Sequence, residues 1–352
     1  MTPCEPPLIR VSNPGDLIDT VPYLIGFHPA ESLVLVGFTG RPADRTQRVT
    51  VTMRVDLPLD PLADDVLLPL AEAFGSSGTD AVVAIALTAE LAGDPRTLPW
   101  LSRLKDALLD DLAGIGVEVL DVLVATDTRW WSLCCELSEC CPEAGTLRRR
   151  DRSVVAAEAT YAGLVALPDR QSLAATLAGA SIEQRALLCP AVAGAEQRVI
   201  EAVLHDRLSR LRRTETTALV TAARHFPTRQ RRLSDKQAAR FGVALTDTDI
   251  RDTLWLAIDD GSLDAEAILR DLHTRLPPPY DAAPLFLFGW GQWRAGNGTI
   301  ATMAAERALD SDPGYSAASL LINAVQHGFD PRSTPALSEP LRAARSRPRP
   351  RA

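Results

Sequence analysis

Long apolar runs are missing from this chain: none approaches the ~20 residues that a membrane-crossing helix needs. The basic-then-apolar pattern of a secretory leader is not seen either, because Glu5, Pro6 and Pro7 interrupt the amino terminus at once. Positive charge is not in excess. The net charge of -8 gives no global field toward nucleic acid or an anionic membrane. Familiar cradles and elbows are also lacking. No G-x-G-x-x-G follows a strand pattern and no Walker A sequence occurs, which argues against the common dinucleotide and nucleotide folds. No G-x-S-x-G exposes a serine nucleophile. Six cysteines in 352 residues are too few for a disulfide scaffold; clustered in a reducing compartment, they point to metal or reactivity. These absences lead us to expect a cytoplasmic protein with no membrane partner and no nucleic-acid partner.

What is present is ordinary for a globular chain, with 46% hydrophobic and 23% charged residues. The length accommodates two domains. In the first half, Ser12-Asn13-Pro14 caps a helix carrying Leu17, Ile18, Val21, Leu24 and Ile25 at helical spacing. Pro22 predicts that this helix is short or kinked. Leu33 to Phe38 is a buried strand. From Val49, strict alternation puts Val49, Val51, Met53 and Val55 on one face of a second strand, antiparallel to the first. Helices over 61–74 and 98–116 then alternate with the apolar strands 81–88 and 117–126, which predicts parallel strands joined by crossovers. Trp130, Trp131 and Leu133 add an edge strand. The expectation is an α/β domain over residues 1–146, a mixed and partly parallel sheet covered by helices, ending in a cysteine-rich loop.

Ala-, Leu- and Arg-rich segments of helical period follow, and predict an all-α domain over 147–335. Within it, Trp255–Leu276 and Leu285–Leu309 each read as a helix, a glycine break and a second helix, ended by Pro277 and Pro313 respectively. That step of about 36 residues resembles tetratricopeptide hairpins. An ordinary helical bundle is the alternative. Residues 336–352 hold five arginines among prolines and are expected to be a disordered tail.

Three places could carry chemistry. The first is His28-Pro29-Ala30-Glu31-Ser32, where His28, Glu31 and Ser32 either form part of a ligand site or simply turn a helix into a strand, the histidine contacting the helix's last carbonyls. The second is the carboxyl ends of the parallel strands, which offer Asp56, Thr88, Glu90, Thr126, Asp127 and Arg129, with Arg54 beside them. Carboxylates there could hold magnesium or orient a polar ligand. The third is "WWSLCCELSECCPEAG", with Cys134, Cys135, Cys140 and Cys141. Adjacent cysteines point in diverging directions, so four ligands on one ion are not expected. Cys134 with Cys140 or Cys141 is the easier set for zinc, and apolar packing beneath the sheet edge is the alternative. The run "LRRRDR" at 147–152 reads as a solvated linker.

Four stretches together, "PYLIGFHPAESLVLVG", "RVDLP", "CCPEAG" and "AGNGTIATMAAERALDSDPGYSAASLL", resemble the bacterial family known as domain of unknown function 4192, common in high-GC Gram-positive bacteria. Ala30 stands where that family's "HPED" pattern carries an acidic residue. The resemblance implies a cytoplasmic bacterial protein of this two-part build and lends no reaction. Three functions are therefore expected as alternatives: a non-catalytic binding or scaffold protein with a protein partner on its C-terminal helices, an enzyme acting on a small polar or phosphorylated substrate at the strand ends, and a cysteine-based zinc or redox module.

Overall fold

The computed structural model describes residues 11–40, 47–57, 64–89, 91, 93–149, 153–229 and 232–337. Contacts divide the chain into two compact units, one of residues 1–173 with 326–330 and one of 174–325 with 331–352.

The first unit begins with α1 (Pro14–Ile25). The Asn13 side chain accepts from the Asp16 amide at 3.0 Å, which satisfies one of the donors a helix start leaves unpaired. This helix differs from its expectation: it runs on through Pro22 as twelve residues. Proline removes a single bond there, and the burial of Leu17, Ile18, Val21 and Ile25 offsets it. The stop is not His28-Pro29. Gly26 ends the helix in the left-handed region at φ 88°, its amide bonding to the Pro22 carbonyl, as a residue without Cβ allows.

A single sheet of six strands follows, in the spatial order β2-β1-β3-β4-β5-β6. Its strands are β1 (Ser32–Thr39), β2 (Arg48–Asp56), β3 (Ala81–Leu87), β4 (Glu118–Ala125), β5 (Arg129–Ser132) and β6 (Thr146–Leu147). Strands β1 and β2 are antiparallel, with Ser32 opposite Asp56, and β1 is also antiparallel to β3. Among the six described strands, β3 and β4 alone pair in parallel, through α3 (Pro99–Gly114). The helix–strand rhythm did predict a crossover, but β1 lies between β2 and β3, so α2 (Asp64–Ser76) joins two strands that point the same way without pairing. The two tryptophans sit in β5 as expected, although β6 takes the edge.

One face of the sheet, through Leu33, Leu35, Val82, Ala84, Val122 and Val124, packs on Phe74 of α2 and on Leu101, Leu104, Leu108 and Leu112 of α3. Val51, Met53 and Val55 join this core, as the alternation of β2 requires. Val34, Val36, Ile85 and Leu123, on the opposite face, are equally buried. The sheet is covered on both sides, which is why its central strands are apolar throughout. The "LRRRDR" run is not wholly solvated. Arg148 is buried, donating to the Thr126 carbonyl at 2.6 Å and to Asp19 Oδ1 at 2.9 Å. Residues 150–152 lie outside the described residues.

Two helices, α4 (Val154–Tyr161) and α5 (Arg170–Ala175), lead into the second unit. It is all-helical among the described residues: α6 (Ile182–Ala186), α7 (Cys189–Leu204), α8 (Leu208–Arg229), α9 (Asp235–Ala244), α10 (Thr248–Asp259), α11 (Glu266–Arg275), α12 (Ala282–Arg294), α13 (Gly298–Ser311) and α14 (Ser316–Gln326). The expected breaks fall between helices, with Gly261 and Gly296 at φ 70° and 88°. Helices α12 and α13 approach closely because Gly289 leaves room; a Cβ there would meet the Ala301 carbonyl oxygen at 3.1 Å and the Ala304 Cβ at 3.2 Å. The chain beyond α14 is tied down as far as Leu337, whose amide donates to Asp259 Oδ2 at 2.6 Å. The rest of the expected tail, from Ser338, lies outside the described residues.

Candidate thiol site

The strand ends come together as the topology requires, but their side chains are engaged in holding the corner. Glu31 adopts φ 42°, a left-handed conformation that is uncommon for a residue with a Cβ. Its carboxylate accepts from the Ala89 amide at 2.7 Å and from Thr88 Oγ1 at 3.0 Å, while its carbonyl accepts from the Leu57 amide. Ser32 Oγ donates to the Ala30 carbonyl at 2.7 Å and accepts from Arg54 Nε at 2.9 Å. Arg54 in turn pairs with Asp56 at 2.7 Å, whose side chain is 88% exposed. The His28 amide donates to the Leu167 carbonyl. Asp127 is exposed, and Glu90 lies outside the described residues. Glu31, Ser32, Arg54 and Asp56 thus form one bonded corner binding β1 to β2 and β3. Arg129 faces elsewhere, toward the cysteine loop.

That loop, residues 133–145, joins β5 to β6 and is pinned at both ends. At its start, Ser132 Oγ accepts from the amides of Cys134 and Cys135 at 3.2 and 3.0 Å and donates to Asp121 Oδ1 at 2.7 Å. Burial on β4 pushes the Asp121 carboxyl above the usual carboxylate range. At its end, Arg129 donates to the carbonyls of Ala144 and Gly145 at 2.8 and 2.9 Å, and the Trp131 indole donates to the Glu143 carbonyl at 3.0 Å. Gly145, at φ 75°, lies so close to the Trp131 ring that no Cβ would fit. In the middle, Arg96 donates to the Cys141 carbonyl at 3.2 Å, its guanidinium fixed by Asp94. The Arg96 bond holds the Asp94 carboxyl below its ordinary range.

Between these anchors the chain makes one tight turn, the amides of Cys140 and Cys141 both bonding to the Leu137 carbonyl. This turn swings two consecutive cysteines back onto Cys135. The Sγ atoms of Cys135, Cys140 and Cys141 all lie within 4.8 Å of one another, and those of Cys135 and Cys140 are 3.1 Å apart. The spacing argument named Cys134, Cys140 and Cys141. The structure brings Cys140 and Cys141 together, puts Cys135 in the third place, and leaves Cys134 on the Asp121 side. Neighbours in sequence do diverge at Cys134-Cys135; at Cys140-Cys141 the turn overrides that tendency.

The three thiols share protons unequally. Hydrogen bonds from Cys140 and Cys141 draw the Cys135 thiol below its ordinary value, and the same bond raises Cys140. Burial, followed by the bonds to its two partners, pushes Cys141 up to about 12. Burial raises Cys134 as well. A tetrahedral zinc with Zn–S near 2.3 Å sets its sulfurs about 3.8 Å apart, a value that lies between the 3.1 Å of Cys135–Cys140 and the 4.8 Å limit of the cluster. Glu136, Glu139 and Glu143 add negative charge to the loop. Three sulfurs this close together suit a thiophilic cation.

No curated protein and no solved structure matches the chain. A family model, described as a domain of unknown function (DUF4192), matches residues 14–332. That span takes in both units and the whole thiol loop, and the chain belongs to the DUF4192 family.

Proposed function

We propose that the protein binds a thiophilic divalent cation, zinc foremost, through Cys135, Cys140 and Cys141. The observation that carries this reading is the convergence of three sulfurs within 4.8 Å on a loop fixed by Arg96, Arg129, Trp131 and Ser132. Thiolate ligands must lose their protons, and the hydrogen bonds that lower the Cys135 thiol favour that loss. Three protein ligands would leave a fourth tetrahedral position for water or an exogenous ligand, unlike a closed four-ligand structural site. Thiols this close together stay reduced in the cytoplasm, where the proposal places the protein. No helix of the described chain is long and apolar enough to cross a membrane.

Cobalt(II) titration of the reduced protein tests this. The expected result is one equivalent of cobalt with a sulfur-to-metal charge-transfer band near-abolished in Cys135→Ser and retained in Cys134→Ser. Equal loss in both variants, or no band in the wild-type chain, would sink the assignment.

A second reading, a scaffold that takes a protein partner on its helices, is favoured by the surface of α7. Ile200, Val203 and Leu204 lie at i, i+3 and i+4 and are exposed, Leu204 at 74%. Helical hairpins of the tetratricopeptide kind in the C-terminal half belong to this reading.

A further inference from the structure

A separate cavity lies wholly within the helical unit. Helices α7, α8, α9 and α10 line a surface-open pocket of about 250 Å³, slightly below the ~300–1,000 Å³ usual for small-molecule pockets. One wall is apolar, formed by Ala195, Val199, Leu208, Leu211, Val243 and Ile250. The other carries Arg198, Arg212, Arg240, Glu215 and Asp247.

The hydrogen bonds on that polar wall are unbalanced. Glu215 is 4% exposed; its Oε1 accepts from Arg198 Nη2 at 3.2 Å and its Oε2 from Arg240 Nε at 2.5 Å. Asp247 Oδ2 accepts from Arg212 Nε at 2.7 Å, and its Oδ1 caps α10 by accepting from the Asp249 and Ile250 amides. Every carboxylate oxygen therefore already has a donor. Arg198 and Arg240 each spend one nitrogen, and their remaining N–H groups have no acceptor among the described residues. Asp249, beside the lining, pairs with Arg212 as well, so the three arginines meet three carboxylates and the surplus on this wall is one of hydrogen-bond donors, not of charge.

A ligand matching this cavity brings one anionic acceptor for the spare guanidinium donors and an aliphatic body for the opposite wall. We propose that the pocket binds a medium-chain aliphatic carboxylate, its carboxylate on Arg198 and Arg240 and its chain along Val199, Leu208 and Val243. At ~30 Å³ for each water-sized group, the volume accommodates about eight such groups.

The test is isothermal titration of the full-length protein with octanoate, alongside octanol and inorganic phosphate. Octanoate is expected to saturate a single site, with octanol and phosphate each binding at least tenfold more weakly, because each lacks one half of the match. Arg198 is half-exposed, and Arg198→Gln leaves Arg240 to neutralise Glu215, so the variant should fold. It should weaken octanoate about tenfold, the loss of one charge-assisted hydrogen bond. Val199→Trp should fill the cavity and abolish binding. Failure of octanoate to saturate, octanol binding as tightly as octanoate, or unchanged affinity in Arg198→Gln with native circular dichroism would each overturn the proposal.

Discussion

Glu31 holds a left-handed conformation at a position where glycine would sit without strain, and it does so at the corner where β1 begins. What keeps it there is its own carboxylate, bonded to the Ala89 amide and Thr88. The two contributions separate by mutation. Glu31→Ala loses the bonds and keeps the strained φ, whereas Glu31→Gly loses the bonds and relieves the strain. Urea denaturation should place the glycine variant about 1 kcal/mol above the alanine variant, with alanine about 1 kcal/mol below wild type. An alanine variant at least as stable as the glycine variant would show that the corner is not strained. At this scale the sequence was partly legible. His28-Pro29-Ala30-Glu31-Ser32 was identifiable as a turn into a strand, but the Glu31 carboxylate bonds to Thr88 and Ala89, 57 and 58 positions away, which no local pattern encodes. Cys135 was missed for a related reason. Divergence of adjacent side chains is the rule in extended chain, and only the single turn onto Leu137 brings Cys140 and Cys141 to the same side.

Among elements, the strands were legible because burial on both faces demands unbroken apolar runs, and the C-terminal helices because their breaks coincide with Gly261 and Gly296, whereas the stop of α1 at Gly26 was not read. Pairing was not. Whether β1 lies outside β2 and β3 or between them depends on long-range packing that the helix–strand rhythm does not record. The arginine pocket was likewise invisible, since its charged residues come from α7, α8, α9 and α10 at irregular spacing. Helix α7 carries its own prediction. Val203 and Leu204 are exposed, so Val203→Lys with Leu204→Lys should change stability by no more than about 0.5 kcal/mol. If the stripe receives a partner, the same double variant removes association that sedimentation velocity detects in the wild-type chain. A loss of several kcal/mol would instead mark the stripe as core.

For the whole molecule, acid sensitivity follows from one buried ring. His273 is fully buried against Phe288, and neither ring nitrogen has a hydrogen-bond partner among the described residues. Burial first, then the nearby positive charges of Arg270, Arg307 and Arg185, push its value down from 6.5 to about 3. Between those two values the unfolded chain binds a proton that the folded chain refuses. Stability is therefore intact above pH 6.5 and falls as the pH drops toward 3, by up to about 1.4 kcal/mol per pH unit from this residue. Urea midpoints measured from pH 7 to 4 should decline less steeply in His273→Leu than in wild type. Parallel declines would remove His273 as the cause.

Gly328 sits where any side chain would run into the Ala73 carbonyl and the Met53 methyl group, and residues 326–330 belong to the first unit. During synthesis this matters. The α/β unit is otherwise complete at residue 173, yet its last piece leaves the ribosome only after 157 more residues (330 − 173). At ~5–20 residues per second, that is a wait of about 8–30 s. Through that interval the nascent sheet unit lacks its closing segment, and a chain cut short anywhere in the helical half never receives it.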